Sequence, residues 1–215
     1  MNKRFREILA MTLLGLCGLC VSVGALAQDQ NVCQGFAPLP PGGDFGLDYR
    51  IKSPDNLHFL KMVEDYHFTP QVEQLISGST GSILGDLSYV LRRYPNHHRA
   101  LYALIRHHRA SPEKFQFPPE CHLRRAAALY PRDSSVRILY GIYLHQDDRF
   151  QEALEQYQVG LDLFERSAEL HYNLGLLYVD LENYQKAREH ARRAYDLGYQ
   201  LPGLRRKLEA VDYWP

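Results

Sequence analysis

The fold is decided by two stretches of sequence, LYGIYLHQDDRFQEALEQYQVGL at residues 139–161 and NLGLLYVDLENYQKAREHARRAY at residues 173–195. Placed one above the other, they match at a constant offset of 34 residues. A fixed period of this length, with small residues at recurring positions, predicts a repeated helix–turn–helix unit. The matching pairs are Gly141 with Gly175, Phe150 with Tyr184, Ala153 with Ala187, and Gly160 with Ala194.

The small residues have a packing role in such a unit. Gly141 and Gly175 lie in the first helix of each unit, where a missing side chain allows a close approach to the second helix. Ala153 and Ala187 lie in the second helix and make the reciprocal gap. The aromatic residue between the two helices fills the turn. The pattern therefore predicts two tightly packed helical pairs in series.

The stretch AELHYNLGLLYVDLENYQKAREHARRAYDLG at residues 168–198 resembles the tetratricopeptide repeat. The preceding copy, residues 134–167, is similar to the same family but has Glu165 where the family often has proline. The resemblance implies an all-α, short right-handed superhelix of helix–turn–helix repeats. The residues that carry it are Leu174-Gly175, Tyr178, Tyr184, Ala187 and Ala194 in the second copy, and Tyr140-Gly141, Phe150, Ala153, Tyr157 and Gly160 in the first.

Upstream, the repeat pattern becomes weaker. Pro131 and Pro95 resemble the closing prolines of two earlier units, 36 residues apart, and the long turn at residues 111–119 accounts for the extra length. In the divergent unit, Ile105 takes the usual glycine position, so we expect its helices to pack less closely. Asn96 or His97 is expected to cap its first helix.

The chain is therefore divided into a series of expected segments. Within them, the pair Thr69-Pro70 predicts a helix that begins at Pro70 and stops at Gly78. The segments are a signal peptide at 1–27, a Pro/Gly-rich N-terminal arm with a short helix at 28–68, a degenerate half-repeat at 69–94, a divergent repeat at 95–133, repeats at 134–167 and 168–201, and a capping helix and tail at 202–215.

The N-terminus has the pattern of an export signal, with three basic residues, an apolar run and small residues at the cleavage positions. We expect cleavage after Ala27, although a retained membrane anchor is the alternative. The apolar run is shorter than the roughly 20 residues that span a bilayer. Cys17 and Cys20 each follow a leucine rather than the small residue of a lipoprotein signal. The protein is thus expected in the periplasm or outside the cell, without a membrane span.

Charge and cysteine content narrow the class of partner. Three of the 25 basic and one of the 25 acidic residues lie in the leader, which leaves 22 and 24. This balance gives no electrostatic reason to expect nucleic acid or anionic lipid as the main partner.

Cys33 and Cys121 remain after cleavage, and an oxidising compartment favours a disulfide between them over two free thiols.

The sequence gives little support for catalysis or for a bound metal. It has none of the common nucleophile, phosphate-loop, dinucleotide or zinc-protease motifs, and Cys121-His122 are helical neighbours that point about 100° apart. The stretch PNHHRALYALIRHHR at residues 95–109 has four histidines, but none are spaced i, i+4. His97 and His108 are too far apart, at roughly 16 Å, to share one zinc ion. No cofactor is expected.

The family resemblance implies that the first helix of each repeat lines a concave groove. The expected groove runs from a cationic end to an apolar end, and Arg99 and Arg106 are expected to bind a carboxylate of the partner. The Lys/Asn set with which some family members hold a terminal carboxylate is missing from the two regular copies. The expected groove residues are Arg99, Tyr102, Arg106, Arg109, Ser135, Ile138, Ile142, His145, Gln146, Glu169, Tyr172, Leu176, Val179 and Asp180.

Three functions follow from this interpretation. The first is a non-catalytic scaffold or adaptor of the bacterial cell envelope that binds a peptide or helix of another protein in the groove. The second is a structural subunit that self-associates through the repeat surface. The third, a histidine-based metal carrier or hydrolase, has the weakest support. Two alternatives for the groove stay open: residues 31–50 fold back into it, or the binding site lies elsewhere.

Overall fold

The computed structural model describes residues 32–40 and 44–214, and every regular element in these ranges is a helix. The all-α prediction is therefore confirmed. The helices are α1 (Pro54–His67), α2 (Pro70–Glu73), α3 (Ile83–Arg93), α4 (His98–Ala110), α5 (Pro119–Leu129), α6 (Ser134–Gln146), α7 (Phe150–Leu163), α8 (Ala168–Asp180), α9 (Tyr184–Asp196) and α10 (Gly203–Glu209), with a 3₁₀ turn at Pro112–Lys114. The predicted leader lies outside the described residues.

The chain divides into two units after Gln34. Residues 32–34 of the first unit are a turn, and the helices belong to the second unit, which begins at Gly35. Cys33 and Cys121 are both disulfide-bonded.

The helices pair in chain order. Helix α1 packs on α3, α4 on α5, α6 on α7, and α8 on α9, and each later pair also packs on the one before it. We call α1, α4, α6 and α8 the A helices, and α3, α5, α7 and α9 the B helices. Helix α10 covers the end of the last pair by packing on both α8 and α9. A solenoid needs such a cap because each pair buries only part of its apolar surface alone.

Most helices begin at a side chain that accepts a hydrogen bond from the first turn, which satisfies a backbone N–H that has no partner within the helix. His97 caps α4 by accepting from the N–H of Ala100, so the predicted cap is confirmed. Asp133 caps α6 in the same way. Ser167 caps α8 and Asn183 caps α9. The caps fix the phase at which each helix starts.

The helix predicted from Pro70 to Gly78 is shorter than expected. It begins at Pro70 as predicted, but it ends at Glu73. Leu75 has a φ of 63°, which no residue inside a right-handed helix adopts. The loop after it is held by Asp86, whose carboxylate accepts from the N–H groups of Ser79 and Thr80. The N–H groups of Ser79 and Thr80 therefore donate to the side chain of Asp86 rather than to main-chain carbonyls of a longer helix.

The predicted close approach at Gly141 is confirmed. A Cβ at this position would overlap the ring of Tyr157, which is fully buried in the partner helix α7. At Gly175 the space is used differently, because a Cβ there would first meet the side chain of Leu204 in α10. The gap at Gly175 therefore mainly admits the capping helix rather than its own B helix.

Helix α4 has less contact with α5 than α6 has with α7, as the isoleucine at the glycine position predicts. Ile105 is itself buried. The divergent repeat thus keeps the pairing of the regular ones at a looser separation.

The described part of the N-terminal arm runs along the B helices. The N–H groups of Gly46 and Leu47 donate to the carbonyls of Arg92 and Arg93 at the end of α3. The N–H of Tyr49 donates to the side chain of Asn96. Asn96 is fully buried and links the arm to Asp133 through its amide. The described arm residues ahead of α1 are therefore hydrogen-bonded to the end of α3 and to Asn96.

Replacement of Gly141 by alanine tests the close approach. The added methyl group has to displace the buried ring of Tyr157, so we expect a loss of about 1–3 kcal/mol of unfolding free energy, typical of an overpacked core. Gly81→Ala is the control, because a Cβ there meets nothing within 4 Å. Urea unfolding of both variants measures the difference. Equal stability of the two would contradict the proposed contact.

Candidate functional site

Polar contacts join each A helix to the A helix of the next repeat. Nε2 of His145 lies 2.9 Å from a carboxylate oxygen of Asp180, 35 residues later in the chain. Arg109 donates to the main-chain carbonyl of Gln146, 37 residues later. These contacts hold the A helices side by side along one continuous face. Two pairs of the predicted groove residues therefore lie together, His145 with Asp180 and Arg109 with Gln146.

Beside these contacts is a pocket of about 320 Å³ between α6, α7, α8 and α10, which we call the groove pocket. Ile142, Leu176 and Phe150 supply its apolar lining. His145, Asp180 and Lys207 supply polar groups around it. An apolar floor with a few polar groups is the usual composition of a ligand site. The sequence analysis named the first helices that supply this pocket, but it missed Lys207 and Phe150.

The polar rim of the groove pocket is an internally balanced charge cluster. Lys207 donates to one oxygen of Asp180 at 3.0 Å, while His145 contacts the other. Burial raises the pKa of the Asp180 carboxyl, but the bonds from Lys207 and His145 outweigh it, and the net pKa lies below the ordinary value. Asp180 is therefore ionised at neutral pH and holds Lys207 in place across the end of the pocket.

Glu169 places a second carboxyl on this face. Glu169 reaches the solvent, but the protein packed around its carboxyl partly desolvates the group, and this raises its pKa. The charge of His98 lowers the pKa by a smaller amount. This carboxyl is the least firmly ionised acidic group among the predicted groove residues.

The cationic end of the groove is less available than the sequence predicts. The guanidinium of Arg99 donates to both carboxylate oxygens of Glu73, one of them at 2.8 Å, and lies 3.5 Å from Glu64. Because these internal acids occupy its donor groups, Arg99 is not open to a partner's carboxylate in this structure. Tyr102 is 47% exposed, and the exposed guanidinium of Arg106 lies 5.8 Å from the centre of its ring.

Two apolar residues that were expected to face a partner lie in the core instead. Tyr172 is only 7% exposed, because the ring of Tyr199 covers it at a centroid distance of 4.4 Å. Ile138 is only 5% exposed. The C-terminal segment that folds over Tyr172 has no counterpart in the repeat pattern, so the pattern alone gave no sign of it. Val179 is half-buried against the same C-terminal cluster.

The four histidines of residues 95–109 separate in the structure. His97 is buried, with Nε2 at 2.9 Å from Glu64, and His98 contacts Asp133. His107 and His108 both pack against the ring of Phe115. Across residues 32–40 and 44–214, no three His, Cys, Asp or Glu side chains are grouped to hold a metal.

Residues 149–202 match the tetratricopeptide repeat family. The matched segment contains helices α7, α8 and α9. It is similar in structure to PilF of Pseudomonas aeruginosa, with a TM-score of 0.53 and 20% identity, over 73% of this chain and 67% of that one. It is less similar to YrrB, described as a TPR protein with an unusual peptide-binding site, with a TM-score of 0.39 and 18% identity, over 75% of this chain and 92% of YrrB. No curated protein matches the chain.

Tetratricopeptide repeats generally serve as scaffolds for protein–protein interaction, and proteins built from them are typically non-catalytic. The fold itself does not select the partner, which depends on the surface that the repeats present. In the part of the chain that the structure describes, no helix has the length and apolar character to cross a membrane.

A histidine pair inside the last repeat makes stability depend on pH. Nε2 of His171 lies 3.1 Å from the carbonyl of Glu165 and so donates to it. Nδ1 of His171 therefore accepts from Nδ1 of His190 at 2.9 Å, an arrangement that needs the ring of His171 to be neutral. Burial, followed by the electrostatic influence of His171, lowers the pKa of His190 to about 4.

We expect the protein to lose stability as the pH falls from about 6.5, the value for an unfolded histidine, to about 4. In this window the unfolded chain binds protons that the folded protein does not bind at His190. The loss should be smaller in His190→Gln than in the parent protein or in a control with His58, which is exposed, changed to Gln. Thermal unfolding at several pH values measures it. An unchanged slope in His190→Gln would rule out this role.

Proposed function

We propose that the protein is an exported adaptor of the cell envelope that binds a peptide or helix of another protein in the groove pocket. The observation that carries this proposal is the open apolar lining of the groove pocket, which Ile142 and Leu176 supply from neighbouring A helices and Phe150 from the start of α7. An amphipathic helix or extended segment buries its apolar side chains in such a groove. The adaptor needs no cofactor, and its partner is a protein rather than nucleic acid.

The rim defines what such a partner presents. Asp180 is already paired with Lys207 and His145, and Asp148 adds a further carboxylate to the lining, so the pocket offers no free positive charge to an acidic partner. Farther along the face, Arg106 has an exposed guanidinium without a carboxylate partner among the described residues. The partner segment is therefore apolar where it enters the pocket and acidic where it passes α4. Of the two arginines expected to bind a carboxylate of the partner, Arg99 and Arg106, only Arg106 keeps that part in this proposal.

The described arm residues leave the groove pocket open. None of the arm residues at 35–40 or 44–50 lines it, and their hydrogen bonds go mainly to the ends of α3 and to Asn96. A pocket without an internal occupant supports binding of a partner over a self-filled groove. The second candidate, self-association through the repeat surface, uses the same apolar residues, and sedimentation of the purified protein separates the two.

Leu176→Glu tests the adaptor function. A carboxylate in the apolar lining has to be desolvated when the partner binds, so we expect at least a tenfold loss of partner capture from envelope extract. Val159→Glu is the matched control, since Val159 is an exposed residue of the B helix α7. Circular dichroism checks that both variants keep their helices. Capture that is equal for both variants would place the binding site elsewhere.

The disulfide can be tested by reduction. We propose that Cys33 and Cys121 form one intramolecular bridge, which closes a loop of roughly 90 residues and contributes about 4–5 kcal/mol on the chain-entropy model. A reducing agent should therefore lower the melting temperature of protein purified from the periplasm. Cys33→Ser combined with Cys121→Ser should melt at the lower temperature with or without the agent. A disulfide-linked dimer on a non-reducing gel would contradict the intramolecular bridge.

A further inference from the structure

A second cleft lies on the opposite side of the helical pairs, between the B helices α3 and α5. Its volume is about 590 Å³, within the range of ligand sites in proteins. The arm residues 35–40 and the loop before α5 form its other walls. We call it the outer cleft. It shares no lining residue with the groove pocket.

Two arginines line the outer cleft without a carboxylate partner in the described ranges of the chain. Arg125 donates to the main-chain carbonyl of Ala37, and its guanidinium lies 3.9 Å from the centre of the Phe36 ring. Arg92 lies 5.4 Å from the centre of the Phe45 ring. Each is thus held by an aromatic ring. Other arginines of this protein, such as Arg99 and Arg149, are held by carboxylates instead.

The two guanidinium groups also act on each other. Burial lowers the pKa of Arg125, and the charge of Arg92 lowers it further. Two like charges in one cleft, with no acid between them, cost free energy that an anion would recover. The outer cleft therefore carries positive charge that no carboxylate of the described residues neutralises.

A buried histidine in the same cleft gives a second, independent sign of an incomplete site. His122 is only 8% exposed and lines the outer cleft. Its Nδ1 is buried and has no hydrogen-bond partner among the described residues. Burial, and then the charge of Arg125, lowers the pKa of His122 to about 3, so the ring is neutral. Buried polar groups without a partner are rare in folded proteins.

We propose that the outer cleft is a second binding site, which takes an acidic peptide segment of a partner protein. The peptide's carboxylate lies between Arg92 and Arg125, where planar guanidinium groups bind carboxylates with two parallel hydrogen bonds. An apolar neighbour in the peptide packs against Phe36 and Phe117. Ser88 and Gln116 offer hydrogen-bonding groups to the peptide backbone.

A peptide fits these walls better than a phosphate ion or a lipid headgroup. The cleft combines the two charges with aromatic rings and with the side chains of Ser88 and Gln116. A small inorganic anion leaves the rings and the amide unused. A side chain of Asp or Glu in a peptide uses the charges, the apolar walls and the polar groups together.

The test uses two acetylated, amidated pentapeptides, Gly-Phe-Glu-Leu-Gly and its twin with Gln in place of Glu. We expect the acidic peptide to bind the full mature chain at least tenfold more tightly than its twin, by titration calorimetry. Arg92→Gln and Arg125→Gln should each weaken binding by about tenfold. Arg192→Gln, an exposed arginine of α9, and Lys207→Glu, at the groove pocket, should leave binding unchanged.

A second measurement does not depend on the peptide. Ser88→Glu puts a carboxylate inside the outer cleft, so this variant should melt at a higher temperature than Ser88→Gln and should no longer bind the acidic peptide. The difference in melting temperature should shrink when Arg125→Gln is added. Arg125 lies on α5 and faces residue 88 across the outer cleft, whereas Arg92 lies four residues after Ser88 on α3 and pairs with a glutamate there in any exposed helix. If Ser88→Glu melts at the same temperature as Ser88→Gln or below it, the cleft has no demand for an anion.

The remaining outcomes also decide the matter. Equal binding of the two peptides, or binding that survives Arg92→Gln combined with Arg125→Gln, overturns the proposal. Vesicles of phosphatidylcholine and phosphatidylglycerol serve as the lipid arm. Sedimentation with these vesicles that depends on Arg92, together with no peptide binding, would replace the peptide by an anionic lipid surface. Because Lys207→Glu acts on the groove pocket alone, failure here is separate from failure of the adaptor function.

Discussion

The contact between α6 and α7 at Gly141 is the one on which the rest of the repeat structure depends. The ring of Tyr157 fills the space where Gly141 has no side chain, and this sets the separation of the two helices. Helix α7 then presents Gly160 to Leu170 of the next A helix, and α8 presents Gly175 to Leu204 of the cap. Each small residue thus admits a large side chain from the next element. In the two regular repeats, each helical pair thus leaves a space for the element that follows it.

The sequence predicted the features of the repeats that produce this helix-to-helix contact. The 34-residue period, the small residues, the helix caps and the looser packing at Ile105 all follow from local sequence pattern, and the structure agrees with them. The helix α1 before residue 69 was not assigned to a repeat, since it carries no motif residue. It packs on α3 as an A helix all the same. The tertiary contacts of α1 decide its place, and they leave no periodic trace in the sequence.

The candidate site was predicted less well, for a physical reason. Repeat position identifies which face a side chain lies on, but not which other side chain already occupies it. Arg99 is taken by Glu73, and Tyr172 is covered by Tyr199, through pairings between segments outside the repeat register. The outer cleft was missed altogether, because the arm that forms its wall has no period. Pairings of this kind depend on the path of the chain rather than on local spacing.

The two surfaces differ in how their charges are balanced. In the groove pocket Asp180 pairs with both Lys207 and His145, so in the proposed function the apolar floor is the main source of affinity. In the outer cleft the charges of Arg92 and Arg125 have no carboxylate among the described residues, so recognition there depends on an anion from outside. An adaptor with one apolar and one cationic site can hold two segments of a partner at once, which raises affinity without new contacts.

The central claim is that the face made by the A helices α6 and α8 binds a partner. Hydrogen–deuterium exchange of the protein, alone and with a partner captured from envelope extract, tests it most directly. We expect slower exchange in α6, α8 and α10 and in the first turns of α7, all of which line the groove pocket, with little change in α9. Protection confined to α9 and the C-terminal half of α7, with none in α6 or α8, would contradict the claim.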